Sequence, residues 1–394
     1  MIRSNRPDFI PFGRPDFGDE EIDAVARVMR SGWVGMGQET IAFERELSAY
    51  VGAPHVVTVN SCTSALFLSL VAMNVQAGDE VICPSLTWCS TANAALYLGA
   101  RPVFCDVDPD TLCVTAETVR PHLTPRTKAV IAVHMGGLAA DVAGLRAALP
   151  SHVALIEDAA HALGARYADG SPVGSSGNLT CFSFYANKNL STGEGGAVAL
   201  ASPALADRVR SLRQHGLSLD AWKRHTHPMN VLGLRIDEIG YKMNYTDLQA
   251  CIGRVQLRRQ PEFAARRLAL AQRYRGVLAA SHAPLTFQHN VVHPDHARHL
   301  FIVKLRTEQM RISRDGLLLA LRQRNIGASL HYWPLHTMPV YRQANAPSLP
   351  HTEDLADRVL SLPISASMTM ADAEYGADHL LDVVATAGEA RVAA

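Results

Sequence analysis

The sequence predicts an α/β protein: a large portion built on one mostly parallel sheet, followed by a smaller α+β portion. Three observations predict it. Short runs that are apolar at consecutive positions recur through the first half, as in Val81 to Cys83, Ala129 to Val133 and Ala197 to Leu200, and strands apolar on both faces belong inside a covered parallel sheet. Helical patterns such as Ala92 to Leu98 and Leu145 to Leu149 separate many of these runs, the alternation expected of stacked β and α layers. Near residue 250 the character shifts to a long helical stretch rich in Arg and Gln, Asp247 to Leu278 with an interruption at Pro261. That shift divides the chain into portions 1–250 and 251–394.

Taken in order, the chain enters through Pro7, Pro11 and Pro15. Behind Asp19, Ile22, Val25, Val28 and Met29 recur at helical spacing and Gly32 stops the helix. A second amphipathic segment runs from Ile41 to Tyr50 and leads to Gly52. His55 to Val59 is the first strand, after which Ser61-Cys62-Thr63-Ser64 opens an apolar helix from Ala65 to Met73. Further strands are expected at Val81 to Cys83, Pro102 to Cys105, Ala129 to Val133, Ala154 to Ile156, Thr180 to Phe184 and Ala197 to Leu200. Beyond the boundary the expectation is a strand at His299 to Leu305, a helix from Ser313 to Arg324, a strand at Ala328 to Tyr332, and closing helices. No internal repeat or low-complexity segment interrupts this order.

Composition narrows the function. Lys+Arg of 37 balances Asp+Glu of 37 across 394 residues, so no global field draws the protein to nucleic acid or to an anionic membrane. The seven cysteines are scattered without metal-type pairs, several of them in apolar runs (Cys83, Cys105, Cys181), as expected of reduced core residues in a cytoplasmic protein. The first residues carry no apolar run of the signal-peptide kind, and no stretch approaches the roughly 18 apolar residues of a membrane span.

In a parallel sheet, ligands bind beyond the carboxyl ends of the strands, so the residues just after each strand carry the chemistry. After Thr180 to Phe184 the chain empties into a polar loop with one lysine, Lys188, before the turn Gly193-Glu194-Gly195-Gly196. A loop lysine is ordinarily solvated, but a desolvated one is a nucleophile toward carbonyls. Ser61 to Ser64 follow the first strand at a helix N-terminus, where free N–H groups suit a phosphate, or simply cap the helix. Asp158 and His161 follow Ile156; the carboxylate suits a protonated heterocyclic nitrogen, or a helix start beside a surface histidine. Trp88 follows another strand and either stacks on a flat ring or packs in the core. An anion cradle, a stacking aromatic, a carboxylate and a lysine together match pyridoxal 5′-phosphate. No Gly-x-Gly-x-x-Gly follows the first strand and no P-loop ending follows Gly196, which speaks against nicotinamide and nucleotide-hydrolysis chemistry. No second His or Cys stands at ligand spacing to suggest a metal.

With these residues in view, the chain strongly resembles the DegT/DnrJ/StrS family of nucleotide-sugar aminotransferases. The landmarks are Pro11-Phe12 with Ser31-Gly32-Trp33, Ser61 to Leu66, Gly78-Asp79-Glu80-Val81, Glu157 to His161, the lysine loop through Gly196, Gly240 to Asp247, and Leu360-Ser361-Leu362-Pro363. The resemblance implies the fold type I (aspartate aminotransferase-like) architecture of pyridoxal enzymes. It implies Lys188 as Schiff-base lysine and proton shuttle, Asp158 as partner of the ring nitrogen, His161 near the ring hydroxyl, and Trp88 stacked on the ring. Thr63 and Ser183 become phosphate ligands with the Ser64 backbone close by. Cys62 replaces a glycine seen in many members. Asn244, or Lys242 beside it, is expected to reach the phosphate of a neighbouring subunit, which makes the protein a homodimer with sites at the interface.

The implied activity is a ping-pong transamination from glutamate to a nucleotide-linked keto-sugar. Pro84-Ser85-Leu86-Thr87-Trp88, His161 and Gly240-Tyr241-Lys242 resemble the branch that aminates UDP-linked 4-keto sugars. A pyridoxal-dependent sugar dehydratase or lyase on the same fold, and a non-catalytic cofactor-binding regulator, are the alternatives; the dehydratases that carry His in place of the lysine are disfavoured by Lys188. His331, Tyr332, Trp333 and His336, with Tyr185 and Glu194, are candidates for the sugar pocket, against a structural cluster of rings. Arg213, His215, His225 and His227 match no metal motif and are assigned no chemistry.

Overall fold

A computed structural model of the chain describes residues 6–218, 235–342 and 348–387. His225 and His227 lie outside the described residues. Seven strands form the main sheet: β1 (His55–Val59), β2 (Glu80–Pro84), β3 (Arg101–Cys105), β4 (Thr127–Val133), β5 (Ala154–Asp158), β6 (Leu179–Ser183) and β7 (Gly196–Leu200). Their spatial order is β1-β7-β6-β5-β4-β2-β3. Only β7 runs against its neighbours; the pairs from β6 to β3 are all parallel. The apolar runs found their predicted places, and the structure extends most of them by one or two residues at their ends.

Consecutive side chains of these strands feed different cores. Val81, Cys83, Ala129, Ile131 and Cys181 pack on one face. Ile82, Val130 and Ala132, and Phe182 with Ala197 and Ala199, pack on the other, which is why the strands read as continuously apolar. Helix α1 (Asp19–Ser31) ends at Gly32 in the left-handed conformation, φ 74°. Helix α2 (Gln38–Val51) starts behind Gly37, which has no side chain to cap it. The cap is tertiary: the buried Asp247 carboxylate accepts from Gly37 N (2.8 Å), Thr40 N (3.0 Å) and Thr40 Oγ1 (2.7 Å). Helix α3 (Cys62–Ala72) is apolar all round and buried, and α4 (Cys89–Leu96) follows β2.

The second sheet has the order β10-β9-β8, from β8 (Leu285–Phe287), β9 (Phe301–Leu305) and β10 (Val359–Leu362). It shares a core with the helices Gln260–Ala280, Arg314–Gln323 and Met370–Thr386. Four differences from the sequence reading stand out. The stretch 328–332 is not a strand; it makes a single bridge, Ser329 with Ser361. β9 begins at Phe301 rather than His299. β8 went unread, and β10 falls where only closing helices were expected. The long helical stretch breaks at Arg259, with Pro261 inside the first turn of the next helix, where its missing N–H costs nothing. The helix Asp247–Arg258 contains the expected boundary at residue 250, and its Cys251 and Val255 pack with Ala24 and Val28 of α1.

All seven cysteines are free, six of them buried. Among the described residues, no helix is long and apolar enough to cross a membrane.

Candidate active site

The site lies along one edge of the main sheet. The ends of β1, β5 and β6 and the start of the reversed β7 share this edge, because Val59 and Ser183 both pair with Gly196. Above Gly196 the first turn of α3 crosses at contact distance. A Cβ at Gly196 would lie 2.6 Å from Ser61 C and 2.7 Å from Cys62 N, so only glycine admits this approach.

Ser61 caps α3 through Oγ to Ser64 N, 3.1 Å. The Ser64 hydroxyl donates to Asn60 Oδ1 at 2.6 Å. Ser61 is thus the cap, and the amides of Cys62 and Thr63 are left at the helix start with no intrahelical acceptor. Ser183 closes β6 beside them, its Oγ accepting a long bond from Tyr185 N at 3.4 Å. Asn244 borders the same turn, since Asn60 N donates to Met243 O at 3.0 Å, while Lys242 forms a bridge with Gln214.

Asp158 ends β5 and is buried. Thr91 Oγ1 donates to its Oδ2 at 2.9 Å, Ala160 N to its Oδ1 at 3.1 Å, and Cys62 Sγ stands 4.0 Å from Oδ1. Thr87 Oγ1, 3.0 Å from Thr91 Oγ1, extends the chain of hydroxyls. Burial pushes the Asp158 carboxyl above its usual range, against the bonds from Thr91 and Ala160 and the charge of Lys188. A carboxylate so placed lacks full compensation, and a cationic ring nitrogen would supply it.

Lys188 sits in a loop closed by Thr192 N to Phe184 O and Phe184 N to Gly195 O, both 2.9 Å. Tyr245 locks the loop, its hydroxyl donating to Thr192 Oγ1 at 2.7 Å. Lys188 is half-buried. Desolvation lowers its amine to about 8, against the opposing pull of Cys62 and Asp158. This is a nucleophile in the making, not a solvated loop lysine.

His161 is buried, which rules out the surface histidine. Its Nδ1 accepts from Gly136 N at 3.4 Å and its Nε2 meets Tyr332 Oη at 3.1 Å, the two rings stacked. Burial and the Lys188 charge hold it well below 6.5, so it is neutral at pH 7. Trp88 is 61% exposed, not packed in the core; its indole stands 6.0 Å from the Tyr332 ring. The structure thus brings Thr91, Asp158, His161, Lys188, Trp88 and Tyr332 together.

The remaining candidates separate. His331 is buried on Ser361 Oγ (3.0 Å) and against Phe12 (4.8 Å), and burial followed by the Lys188 charge pushes it down to about 3. His336 Nδ1 holds Ser85 Oγ at 2.7 Å and so braces the loop that carries Trp88. Tyr185, Glu194 and Trp333 are exposed, with the Trp333 ring under the Arg314 guanidinium at 4.9 Å. Arg213 is structural, paired with Glu44 and bonded to Thr58 O at 2.6 Å. Two residues escaped the sequence reading. Thr91 fell just before the helical pattern read from Ala92 to Leu98 and belongs to the helix Cys89–Leu96. His299, whose Nε2 lies 3.4 Å from Lys188 Nζ, looked like the start of a strand. Among the described residues no group of three or more His, Cys, Asp or Glu is arranged to hold a metal ion.

The donor set fits pyridoxal phosphate: helix-start amides and Ser183 for a phosphate, a buried carboxylate for a ring nitrogen, an exposed indole for a ring face, and an amine of lowered proton affinity for an aldehyde. Comparison with known proteins points the same way. The DegT/DnrJ/EryC1/StrS aminotransferase family model matches residues 15–380. The aminotransferase TlmJ from Streptoalloteichus hindustanus is 34% identical, with 98% of this chain and 100% of that one covered at a TM-score of 0.86. Spr1654 from Streptococcus pneumoniae, solved in its PLP form, is 28% identical over 96% of this chain and 99% of its own, with a TM-score of 0.87. DesI, solved in the presence of its TDP-sugar product, is 29% identical over 99% of this chain and 96% of its own, with a TM-score of 0.88.

Proposed function

Because this chain belongs to the DegT/DnrJ/EryC1/StrS aminotransferase family, whose members are pyridoxal-phosphate-dependent sugar aminotransferases, we propose that it moves an amino group from L-glutamate to a nucleotide-linked keto-sugar. The observation that carries the reading is the Lys188 amine, lowered to about 8 by desolvation, on the same sheet edge as the buried Asp158. Bound pyridoxal phosphate supplies the electron sink that lets a proton leave the substrate carbon. The protein's residues do the rest. Lys188 would hold the cofactor's aldehyde end and, as a free amine, would carry the proton at Nζ. Asp158 stays ionised against the ring nitrogen, with Thr91 Oγ1 and Ala160 N fixing its oxygens. Cys62 and Thr63 amides, with Ser183, hold the phosphate end. Trp88 covers a ring face, and Tyr332 and neutral His161 present polar atoms to the sugar side.

A UDP-linked 4-keto sugar is the proposed acceptor, on the Pro84 to Trp88 segment and His161. The two half-reactions alternate at one site, in a cytoplasmic enzyme of amino-sugar or surface-polysaccharide synthesis. We further assign a homodimer in which Asn244 or Lys242 approaches the neighbouring cofactor. The division into a large cofactor-binding portion, 1–250, and a small C-terminal one, 251–394, is part of the same proposal, each portion carrying its own sheet.

The test is direct. Purified protein supplied with pyridoxal phosphate absorbs in the visible, glutamate alone discharges that absorbance, and mass spectrometry over a panel of UDP- and dTDP-linked keto-sugars finds an aminated product. Lys188→Ala loses covalent attachment and about 10⁴-fold or more in turnover. Wild-type protein that stays colourless with the cofactor overturns the reading, and one that binds it but ignores glutamate favours the dehydratase, lyase or regulator.

A further inference from the structure

We propose that His299 is a positioning residue for Lys188: its Nε2 accepts one N–H of the Lys188 amine and holds that nitrogen in place before a carbonyl arrives. The inference rests on reading Lys188 as the cofactor lysine. The 3.4 Å contact with His299 Nε2 is the only hydrogen bond that Lys188 Nζ makes among the described residues. A four-carbon stem carries much rotational freedom, so a single fixed acceptor decides where the amine points.

His299 is itself tied down from several directions. Its chain segment is joined to the β4 turn by Ala297 N to Gly137 O (2.8 Å) and Leu300 N to Gly136 O (3.0 Å). Arg267 Nη1 donates to Arg298 O at 3.2 Å, and Asn189 Nδ2, one residue after Lys188, donates to Ala297 O at 2.8 Å. Arg298 takes a left-handed φ of 52° to make this passage. A Cβ at Gly137 would lie 2.8 Å from Arg298 N and 3.0 Å from His161 O. The imidazole then lies against the His161 ring, centroids 4.5 Å apart.

The other ring nitrogen tells against a packing role. His299 Nδ1 is buried and has no hydrogen-bond partner among the described residues. A buried imidazole kept for structure ordinarily satisfies both nitrogens. Here one is left unsatisfied while the other meets the reactive amine. The ring is also the right acceptor electrically. Burial, then the charges of Lys188 and Arg267, keep it neutral at pH 7. The titratable groups that face the amine from the other elements are Cys62, Asp158, His161 and His331. A second carboxylate at the place of His299 would hold the ammonium protonated, whereas a neutral imidazole orients it without adding charge.

The experiment follows covalent capture of pyridoxal phosphate by full-length, cofactor-stripped protein, read as stopped-flow absorbance from about pH 6 to about pH 10, a range spanning the depressed and nearing the ordinary lysine pKa. In the wild type the rate climbs through the Lys188 titration near 8. His299→Leu lowers the high-pH plateau about tenfold through lost orientation. It also moves the midpoint down, because the ammonium loses its acceptor. His299→Gln keeps an acceptor and stays within about threefold of the wild-type plateau. A leucine variant with the wild-type plateau overturns the inference. So does a midpoint that stays put or climbs toward the ordinary lysine value, the mark of a loosened, wetter site. A glutamine variant as slow as the leucine one overturns it too. Lys188→Ala is the separate control: if it still captures the cofactor covalently, the reading of Lys188 fails, whatever His299 does.

Discussion

Replacing Thr91 by valine removes one hydroxyl from a buried chain and changes little else in shape. In the wild type, Thr91 Oγ1 donates to Asp158 Oδ2 at 2.9 Å and contacts Thr87 Oγ1 at 3.0 Å. A hydrogen bond to a charged group contributes about 1.5–3 kcal/mol. Without cofactor, Asp158 has an escape, since burial already pushes its carboxyl upward and it can take up a proton. With the ring nitrogen bound it must be ionised, so the loss falls mainly on the bound state. The expected result is a Kd for pyridoxal phosphate raised about 10- to 100-fold, at 1.4 kcal/mol per factor of ten. Fluorescence or absorbance titration of stripped protein measures it. Thr91→Ser restores the donor and should recover most of the affinity, while the buried Thr87 hydroxyl regains its neighbour. A valine variant within twofold of the wild type, or a serine variant as weak as valine, would refute the claim that this hydroxyl supports the carboxylate.

Two further outcomes follow from the scaffold. Glu80 is fully buried as a side chain; burial raises its pKa, but bonds from Arg101, Thr124 and Arg126 outweigh that and hold it at about 2. A carboxyl depressed in the folded state stabilises above its unfolded value and loses that contribution as pH falls, here from about 4.5 to about 2. The contribution is at most about 3 kcal/mol, reduced because Arg101 and Arg126 are half-exposed and screened. Glu80→Gln should therefore flatten the acid limb of a stability-versus-pH curve measured by urea unfolding, and an unchanged limb would count against the pairing. Gly196→Ala forces a Cβ to within 2.6 Å of Ser61 C, which should cost about 1–3 kcal/mol of stability and weaken phosphate retention as α3 shifts. Isothermal titration with pyridoxal phosphate, beside a melting curve, checks both; wild-type affinity would remove α3 from the cradle.

How much of this was legible in the chain depended on how far apart the partners lie. The strands, the lysine loop and the polar residues following each strand are local patterns, so Asp158, Lys188 and Trp88 could be named from periodicity and strand ends, whereas Ser183 came only from the family resemblance. Gly32 and Gly52 announced helix ends for the same reason. Trp88 was named without its state: only packing shows its ring exposed beside Tyr332. Residues 328–332 misled, because their alternation of apolar and polar side chains suits a strand, yet the backbone finds one bridging partner at Ser361. A strand needs a neighbour, and alternation cannot supply one.

The sequence by itself determined the layers, the positions of the main strands along the chain and the edge on which chemistry collects, since hydrophobic period and turn residues act over a few positions. Only the tertiary structure decided the groups that tune that edge. Thr91 reaches Asp158 across 67 positions, His299 reaches Lys188 across 111, and Asp247 caps α2 across 207 from Thr40. Each is a single polar atom placed by the packing of distant elements, and no spacing along the chain encodes that meeting. Lys188 was readable as a candidate. Its lowered proton affinity and the imidazole that holds it exist only once the fold has closed around it.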